Sequence, residues 1–254
     1  MSGLAGSPIN LSIPPLVGSS RKPRIPVSRS KGLPMRMSIL LFDGFTALDI
    51  VGGYESLSRI PGMQVEFVAK EEGIVKADTR MLGLLAFRRL SDAKGADILY
   101  VPGGPGGNIA QRDPEIIDFI RREHETSTWT VGVCNGVEML ATAGVLHGVE
   151  VTTNFFARDR VAALGARVLR KRYHRDGKIV TGAGVSASAD AGLFLTRLIA
   201  GETIAENIQV GIEYYPDPPF GPKSVDEASD RAKAVITRFE EQSEAHMAAL
   251  PHAF

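Results

Sequence analysis

Trp129-Thr130-Val131-Gly132-Val133-Cys134-Asn135-Gly136 is the stretch on which the fold turns. Four β-favouring residues and Gly132 run without polar alternation, a cysteine follows, and residues 135–142 then read as a helix that Gly144 ends. An unbroken apolar run marks a strand buried on both faces, as in a parallel sheet. A reactive side chain at the strand–helix junction, flanked by glycines, is the layout of a nucleophile elbow, in which a tight turn pushes that side chain out of the sheet. The helix N-terminus places partial positive charge beside the sulfur, so the thiol is expected to favour thiolate. The competing reading is an inert, buried cysteine.

Working outward, the same alternation recurs. Residues 38–42 and 97–101 are short apolar runs, and 65–68 reads as a further strand. Residues 47–59 read as a helix with Leu48, Val51, Tyr54 and Leu57 at helical spacing, weakened by Gly52-Gly53 and stopped by Pro61-Gly62. Residues 73–90 hold short strand-like pieces. Asp113-Pro114 is a helix cap followed by a buried face of Ile116, Ile117, Phe119 and Ile120. Downstream come a strand at 150–153, a helix near 155–164, a hairpin in 167–181 turning at Asp176-Gly177, and helices at 187–200 and 203–212. Ser224 and Glu227 form a capping box for a last helix with Val225, Ala228, Ala232, Val235 and Phe239 as its apolar stripe. The expected fold is α/β: one flavodoxin-like domain with a mostly parallel sheet, helices on both faces and the elbow at a strand end.

Composition narrows the function. The 254 residues carry 29 basic and 29 acidic groups, but residues 1–41 hold six of the bases and no acid. The remaining 213 residues have 23 basic and 29 acidic groups, a net charge of −6, which gives no electrostatic case for nucleic acid. No apolar run approaches the ~18 residues of a membrane span. One cysteine excludes a disulfide framework and any CxxC pair. Residues 1–36 read as an irregular, basic, Pro/Ser-rich leader, 37–222 as the α/β domain and 223–254 as a C-terminal helix and tail. The leader is read as a disordered tail, or as residues ahead of a start at Met35 or Met37. Organelle import through it is the alternative to a cytoplasmic protein.

Three further features bear on chemistry. Residues 102–107 (PGGPGG) follow a strand and precede a helix, and fit neither a dinucleotide fingerprint nor a P-loop. They read either as a plain turn or as bare backbone donating N–H groups to developing negative charge. Asp49 is a charge within apolar ALDIV, either a surface helix cap or a buried, partly protonated carboxyl suited to acid–base work. The five histidines (His124, His147, His174, His246 and His252) all read as surface residues without metal-ligand spacing, so the thiol's partner is expected to be a carboxyl.

The residues at 48–55 (LDIVGGYE), 101–106 (VPGGPG), 133–136 (VCNG), 140–146 (LATAGVL), 181–187 (TGAGVSA) and 213–220 (EYYPDPPF) carry a resemblance. The chain resembles the ThiJ/PfpI family of glutamine amidotransferase-like proteins, and within it the isonitrile hydratase branch. The resemblance implies a cofactor-independent hydro-lyase with no metal, acting on a small molecule, without nucleic acid or membrane partners, as a homodimer. It implies Cys134 as the nucleophile and Asp49 as general acid and base. Backbone donors at Gly104 and Asn135 would steady the intermediate, and Gly103, Asn154, Phe155 and Phe156 would meet the substrate. Phe155 and Phe156 read equally as core. Three departures from the branch stand out: Gly52-Gly53 for Gly-Pro, Asn135 for Thr after the cysteine, and Asn154-Phe155 for His-Trp. The first is expected to loosen the helix carrying the acid. Two rival readings follow from the same site: a thiol enzyme acting on 2-oxoaldehydes or glycated groups, and a redox sensor in which Cys134 becomes a sulfinic acid.

Overall fold

The computed structural model describes residues 34–221 and 224–249. Most of the leader expected over 1–36 lies outside the described residues. Apolar runs become the strands of one sheet: β1 (Arg36–Leu40), β2 (Gln64–Ala69), β5 (Arg88–Arg89), β6 (Ile98–Val101), β7 (Trp129–Val133), β10 (Tyr173–Asp176) and β11 (Ile179–Gly182). Their order is β10-β11-β7-β6-β1-β2-β5. Every neighbouring pair is parallel except the β10–β11 hairpin. Every residue of β6 and β7 is buried, as their unbroken apolar sequences require. β3 (Gly73–Lys76) pairs with β4 (Gly83–Ala86), and β8 (Glu150–Val151) with β9 (Arg167–Val168), as two small separate sheets. The expected 167–181 hairpin is therefore confined to β10 and β11.

The helices are α1 (Ala47–Leu57), α2 (Gly107–Ala110), α3 (Pro114–Thr126), α4 (Gly136–Thr142), α5 (Arg158–Ala163), α6 (Ala187–Ala200), α7 (Glu202–Gly211) and α8 (Asp230–Ala249). α1 packs with α6 and α6 with α7, while α3 packs with α4 and α4 with α5. α3 starts as read: Asp113 accepts a hydrogen bond from Glu115 N at 3.0 Å, a cap typically worth about 1 kcal/mol. Among the described residues no helix is long and apolar enough to cross a membrane.

Two helix faces differ from expectation. In α1 Leu57 is buried as expected, but the other buried residues are Asp49, Ile50, Gly52, Gly53 and Ser56, while Leu48 and Val51 are exposed. The reason is close packing by small residues. A β-carbon on Gly52 would lie 2.1 Å from Ser188 Oγ, and one on Gly53 2.4 Å from the Tyr100 hydroxyl. Gly52-Gly53 thus seats α1 against α6 and β6 instead of loosening it. The second difference is at the C-terminus. Ser224 to Glu227 bond side chain to side chain at 3.0 Å around a 3-10 turn, and α8 starts later, with Ser229 Oγ accepting from Ala232 N at 3.2 Å. Val235 and Phe239 are 60% and 61% exposed, so the expected stripe is not a buried one.

The chain leaves β1 toward β2 on one side and returns through β6 to the other. The loops after β1 and β6 therefore diverge at the carboxyl edge, where parallel sheets bind ligands. These loops are tied together: Thr46 N donates to Gly103 O at 2.9 Å, and Gly106 N to Gly44 O at 3.1 Å.

Candidate active site

Cys134 follows β7 with φ of 57°, in the left-handed region that non-glycine residues rarely occupy. The strain is held by bonds on both sides of the residue. Cys134 N donates to Gly182 O at 3.0 Å, and Thr153 Oγ1 donates to Cys134 O at 2.7 Å. Gly136 is required because a β-carbon there would stand 2.4 Å from Pro102 O and 2.5 Å from Val101 O. α4 can start directly under the β6 loop only if that position is bare. The elbow geometry is therefore present, and a non-glycine residue adopts it at a cost of order 1–3 kcal/mol.

Asp49 lies in the first turn of α1 and is fully buried. Thr46 precedes the helix, so Asp49 is not its surface cap. One carboxylate oxygen, Oδ2, accepts from Gly103 N at 2.7 Å. The other, Oδ1, has no hydrogen-bond partner among the described residues. The carboxyl and the Cys134 thiol are close enough that each perturbs the other's ionisation. Burial, outweighing the Gly103 N–H, pushes the Asp49 pKa up to about 8, with the Asp78 and Glu240 carboxylates adding to the rise. Tyr100 donates its hydroxyl to Asp49 O at 2.6 Å and fixes the helix start.

The expected thiolate is corrected by burial. Cys134 is 3% exposed. Loss of solvent, and then the neighbouring Asp49, pushes its thiol well above the usual range, although the Asn154 amide and the Asn135 N–H favour the anion. Desolvation of a charge outweighs the field at the start of the seven-residue α4. The resting pair is a neutral thiol beside a largely protonated acid.

The two expected backbone donors are also otherwise engaged. Gly104 N donates to Asn135 Oδ1 at 2.7 Å, and Asn135 Nδ2 returns a bond to Gly104 O at 2.9 Å. That reciprocal clasp uses both the Gly104 N–H and the Asn135 side chain to lock the glycine loop onto the elbow. The Asn135 backbone N–H instead points at the sulfur. Gly103 is needed bare, since a β-carbon there would lie 2.2 Å from Asn135 Oδ1 and 2.9 Å from Asp49 Oδ2. Its own N–H holds Asp49.

Asn154 is buried and donates Nδ2 to the Cys134 sulfur at 3.2 Å, so it touches the nucleophile. Phe155 and Phe156 are half-buried and form an edge-on pair with ring centres 5.4 Å apart. Phe156 packs against the core. No histidine bonds to Cys134 or Asp49 among the described residues. His147 is exposed, and His246 lies on α8. His124 is not the surface residue expected: its Nδ1 lies 2.8 Å from Thr130 Oγ1, and burial with the Lys178 ammonium holds its pKa down to about 4. His174 is half-buried, with Nε2 3.3 Å from Glu150 Oε2. The described residues contain no group of three or more acidic, histidine or cysteine side chains placed to hold a metal ion.

Sequence reasoning did not single out Thr153, Tyr100, Asp78 or Glu240. Thr153 and Tyr100 act through backbone carbonyls, and Asp78 and Glu240 through charge across loops distant in sequence. None of these has a local signature.

Residues 35–197 match the DJ-1/PfpI family. An isonitrile hydratase of Pseudomonas putida is 34% identical over 196 residues, covering 77% of this chain and 86% of that enzyme. A deglycase of Thermococcus kodakarensis is 26% identical over 149 residues, 58% of this chain and 89% of its own. A ThiJ/PfpI family protein from Pseudomonas syringae superposes with a TM-score of 0.78 at 29% identity, covering 84% of this chain and 90% of that one. The match spans the β1 and β6 loops, the elbow and the start of α6, so the parts that build the site are the parts that are shared, and the chain belongs to the DJ-1/PfpI family.

Proposed function

We propose that this chain is a cofactor-independent hydratase that adds water to an isonitrile, R–NC, and releases an N-substituted formamide. The observation that carries the reading is a buried Asp49 carboxyl set beside the Cys134 thiol, with a pKa pushed up to about 8 and one oxygen without a hydrogen-bond partner among the described residues. The similarity to an isonitrile hydratase supports the substrate class. A proton donor with pKa close to the working pH is the most effective kind.

The steps follow from the resting protonation states. The protonated Oδ1 of Asp49 gives its proton to the terminal carbon of the isonitrile. The carboxylate so formed takes the thiol proton as the Cys134 sulfur bonds to that carbon, giving the thioimidate R–N=CH–S. Asp49 then protonates the imine nitrogen and accepts a proton from the water that adds to the same carbon. Collapse of R–NH–CH(OH)–S breaks the carbon–sulfur bond, its electron pair returns to sulfur, and the hydroxyl proton restores the thiol through Asp49. The sum is one isonitrile and one water to one formamide. Asn154 and the Asn135 N–H stabilise charge on sulfur as the S–H bond breaks. A neutral amide at 154, where the hydratase branch carries imidazole, suits a site whose proton traffic runs through a carboxyl.

The test is formamide formation from a panel of alkyl and aryl isonitriles by wild type, Cys134→Ala and Asp49→Asn. Wild type is expected to turn over at least one, with both variants reduced at least 1000-fold. Full turnover by Cys134→Ala overturns the covalent route. Consumption of methylglyoxal without hydration of any isonitrile overturns the substrate assignment in favour of the deglycase-like reading.

A further inference from the structure

α8 is amphipathic in an inverted sense. Val235, Ile236 and Phe239 are exposed. Lys233, Thr237, Glu240, Ser243 and Met247, at helical spacing, are the less exposed ones. This inner face is mostly polar, which a helix seated on a hydrophobic core would not show. It stands over a cavity of about 260 Å³, bounded from α8 by Phe239, Glu240, Gln242, Ser243, His246 and Met247 and from the body by Asp78, Thr79 and Pro105. Those body residues frame the Asp49 side of the site. Thr46, just before α1, donates Oγ1 to Asp78 Oδ2 at 2.7 Å. Pro105 directly follows Gly103-Gly104, which hold Asp49 and Asn135.

Met247 pins the far end of the helix. It is 4% exposed, and its methyl group occupies the space over Gly44, where a β-carbon would come within 2.4 Å of it. Asp226 anchors the approach to α8 through Arg158 at 2.6 Å and Arg170 at 3.3 Å. These ties sit on either side of a helix whose Val235 and Ile236 side chains are uncovered. The helix is attached at its ends and roofs the loops that carry the catalytic pair.

We propose that α8 is the roof of the active-site mouth and that Glu240, on its inner face, is a specificity-determining residue that rejects anionic substrates and admits neutral or cationic ones. Glu240 and Asp78 line the same cavity, with the His246 ring also on its wall, so an incoming carboxylate meets two acidic side chains there. The Glu240 charge is felt by both Asp49 and Cys134, which places it within electrostatic range of the reacting atoms. As a statement about substrate choice the inference rests on the hydratase reading, but its physical content is a charge at the approach to the only cysteine in the chain.

That single cysteine permits a test that needs no substrate. Iodoacetamide and iodoacetate are nearly equal in size and differ by one negative charge. Their rates of alkylation at Cys134, followed by intact-protein mass spectrometry, are compared in wild type, Glu240→Gln, Glu240→Lys and Asp226→Asn. Glu240→Gln is expected to raise the iodoacetate-to-iodoacetamide rate ratio about fivefold, the size of effect one unit charge exerts in a partly solvated setting, and Glu240→Lys to raise it further. Loosening the anchor with Asp226→Asn is expected to raise both rates. An unchanged ratio in both Glu240 variants, with circular dichroism like wild type, overturns the role of Glu240. Equal rates in Asp226→Asn and wild type overturn the roof. The same variants are then given a neutral alkyl isonitrile and isocyanoacetate, and Glu240→Gln should shift preference toward the anion. If alkylation responds while neither isonitrile is hydrated, the hydratase reading fails and the roof survives.

Discussion

Replacing Asp49 by Asn tests the central electrostatic feature through stability rather than activity. The carboxyl is fully buried, and its pKa is pushed from an ordinary 3.8 to about 8. Below the lower value it is protonated in both folded and unfolded chains, and its contribution is fully retained. Between the two values the unfolded chain sheds the proton while the folded chain keeps it. Folding then takes up a proton, and wild type loses stability as pH rises, at about 1.4 kcal/mol per pH unit. Asn copies the protonated acid: its oxygen can accept from Gly103 N, as Asp49 Oδ2 does at 2.7 Å, and it cannot ionise. The stability of Asp49→Asn relative to wild type should therefore rise by about 3 kcal/mol between about pH 5.5 and about pH 7.5. Across the whole window the difference is on the order of 5 kcal/mol, an upper value because relaxation around the charge reduces it. Urea unfolding at a series of pH values, with slopes compared to confirm the same cooperative transition, supplies both curves. Taking the difference removes the titrating groups that are not coupled to Asp49. Parallel curves would mean that the folded carboxyl ionises at an ordinary pH, and the proton donor of the mechanism would not exist.

Two substitutions at the elbow probe its geometry. Gly136→Ala should cost more than about 2 kcal/mol in urea unfolding, since its β-carbon meets two backbone oxygens at 2.4 and 2.5 Å rather than flexible side chains; a loss below about 0.5 kcal/mol would show that the loop can yield. At position 134, with φ of 57°, Cys134→Gly should equal or exceed Cys134→Ala in stability, although alanine is ordinarily favoured over glycine by about 1 kcal/mol within regular structure; an alanine variant ahead by that margin would mean the turn is unstrained.

Legibility in the sequence tracked the kind of interaction involved. Strands β6 and β7 were legible because burial on both faces forces unbroken apolar runs, and the elbow because a cysteine between Gly132 and Gly136 has few other uses. α1 was legible as a helix but not as to its face. Of the residues that hydrophobic spacing pointed to, Leu57 is buried and Tyr54 packs on the core but Leu48 and Val51 are exposed, and the buried side also holds Ile50 together with Gly52, Gly53 and Ser56, which bury little apolar area and act by letting backbones approach. A scale that rewards large side chains is blind to such a seam. The same seam turns Asp49 inward, so the two readings of that residue could be separated only once the helix face was known.

The site shows a second limit, since its hydrogen bonds are shared out in a way that spacing does not encode. The glycine loop was legible as bare backbone near the reacting atoms, but Gly103 N serves Asp49 and Gly104 N serves Asn135. Both donors act in positioning. This has a chemical consequence: with those N–H groups engaged, little remains to stabilise a free anion in the pocket, and burial makes a resting thiolate costly. In the proposed reaction the substrate carbon takes a proton before sulfur adds to it, so no oxyanion forms: the transient negative charge falls on the Asp49 carboxylate and on sulfur, and the sulfur has the Asn154 amide and the Asn135 N–H beside it. That difference, more than the presence of a cysteine, separates the proposed isonitrile chemistry from acyl transfer, in which a tetrahedral oxyanion would look for donors that this loop has already committed.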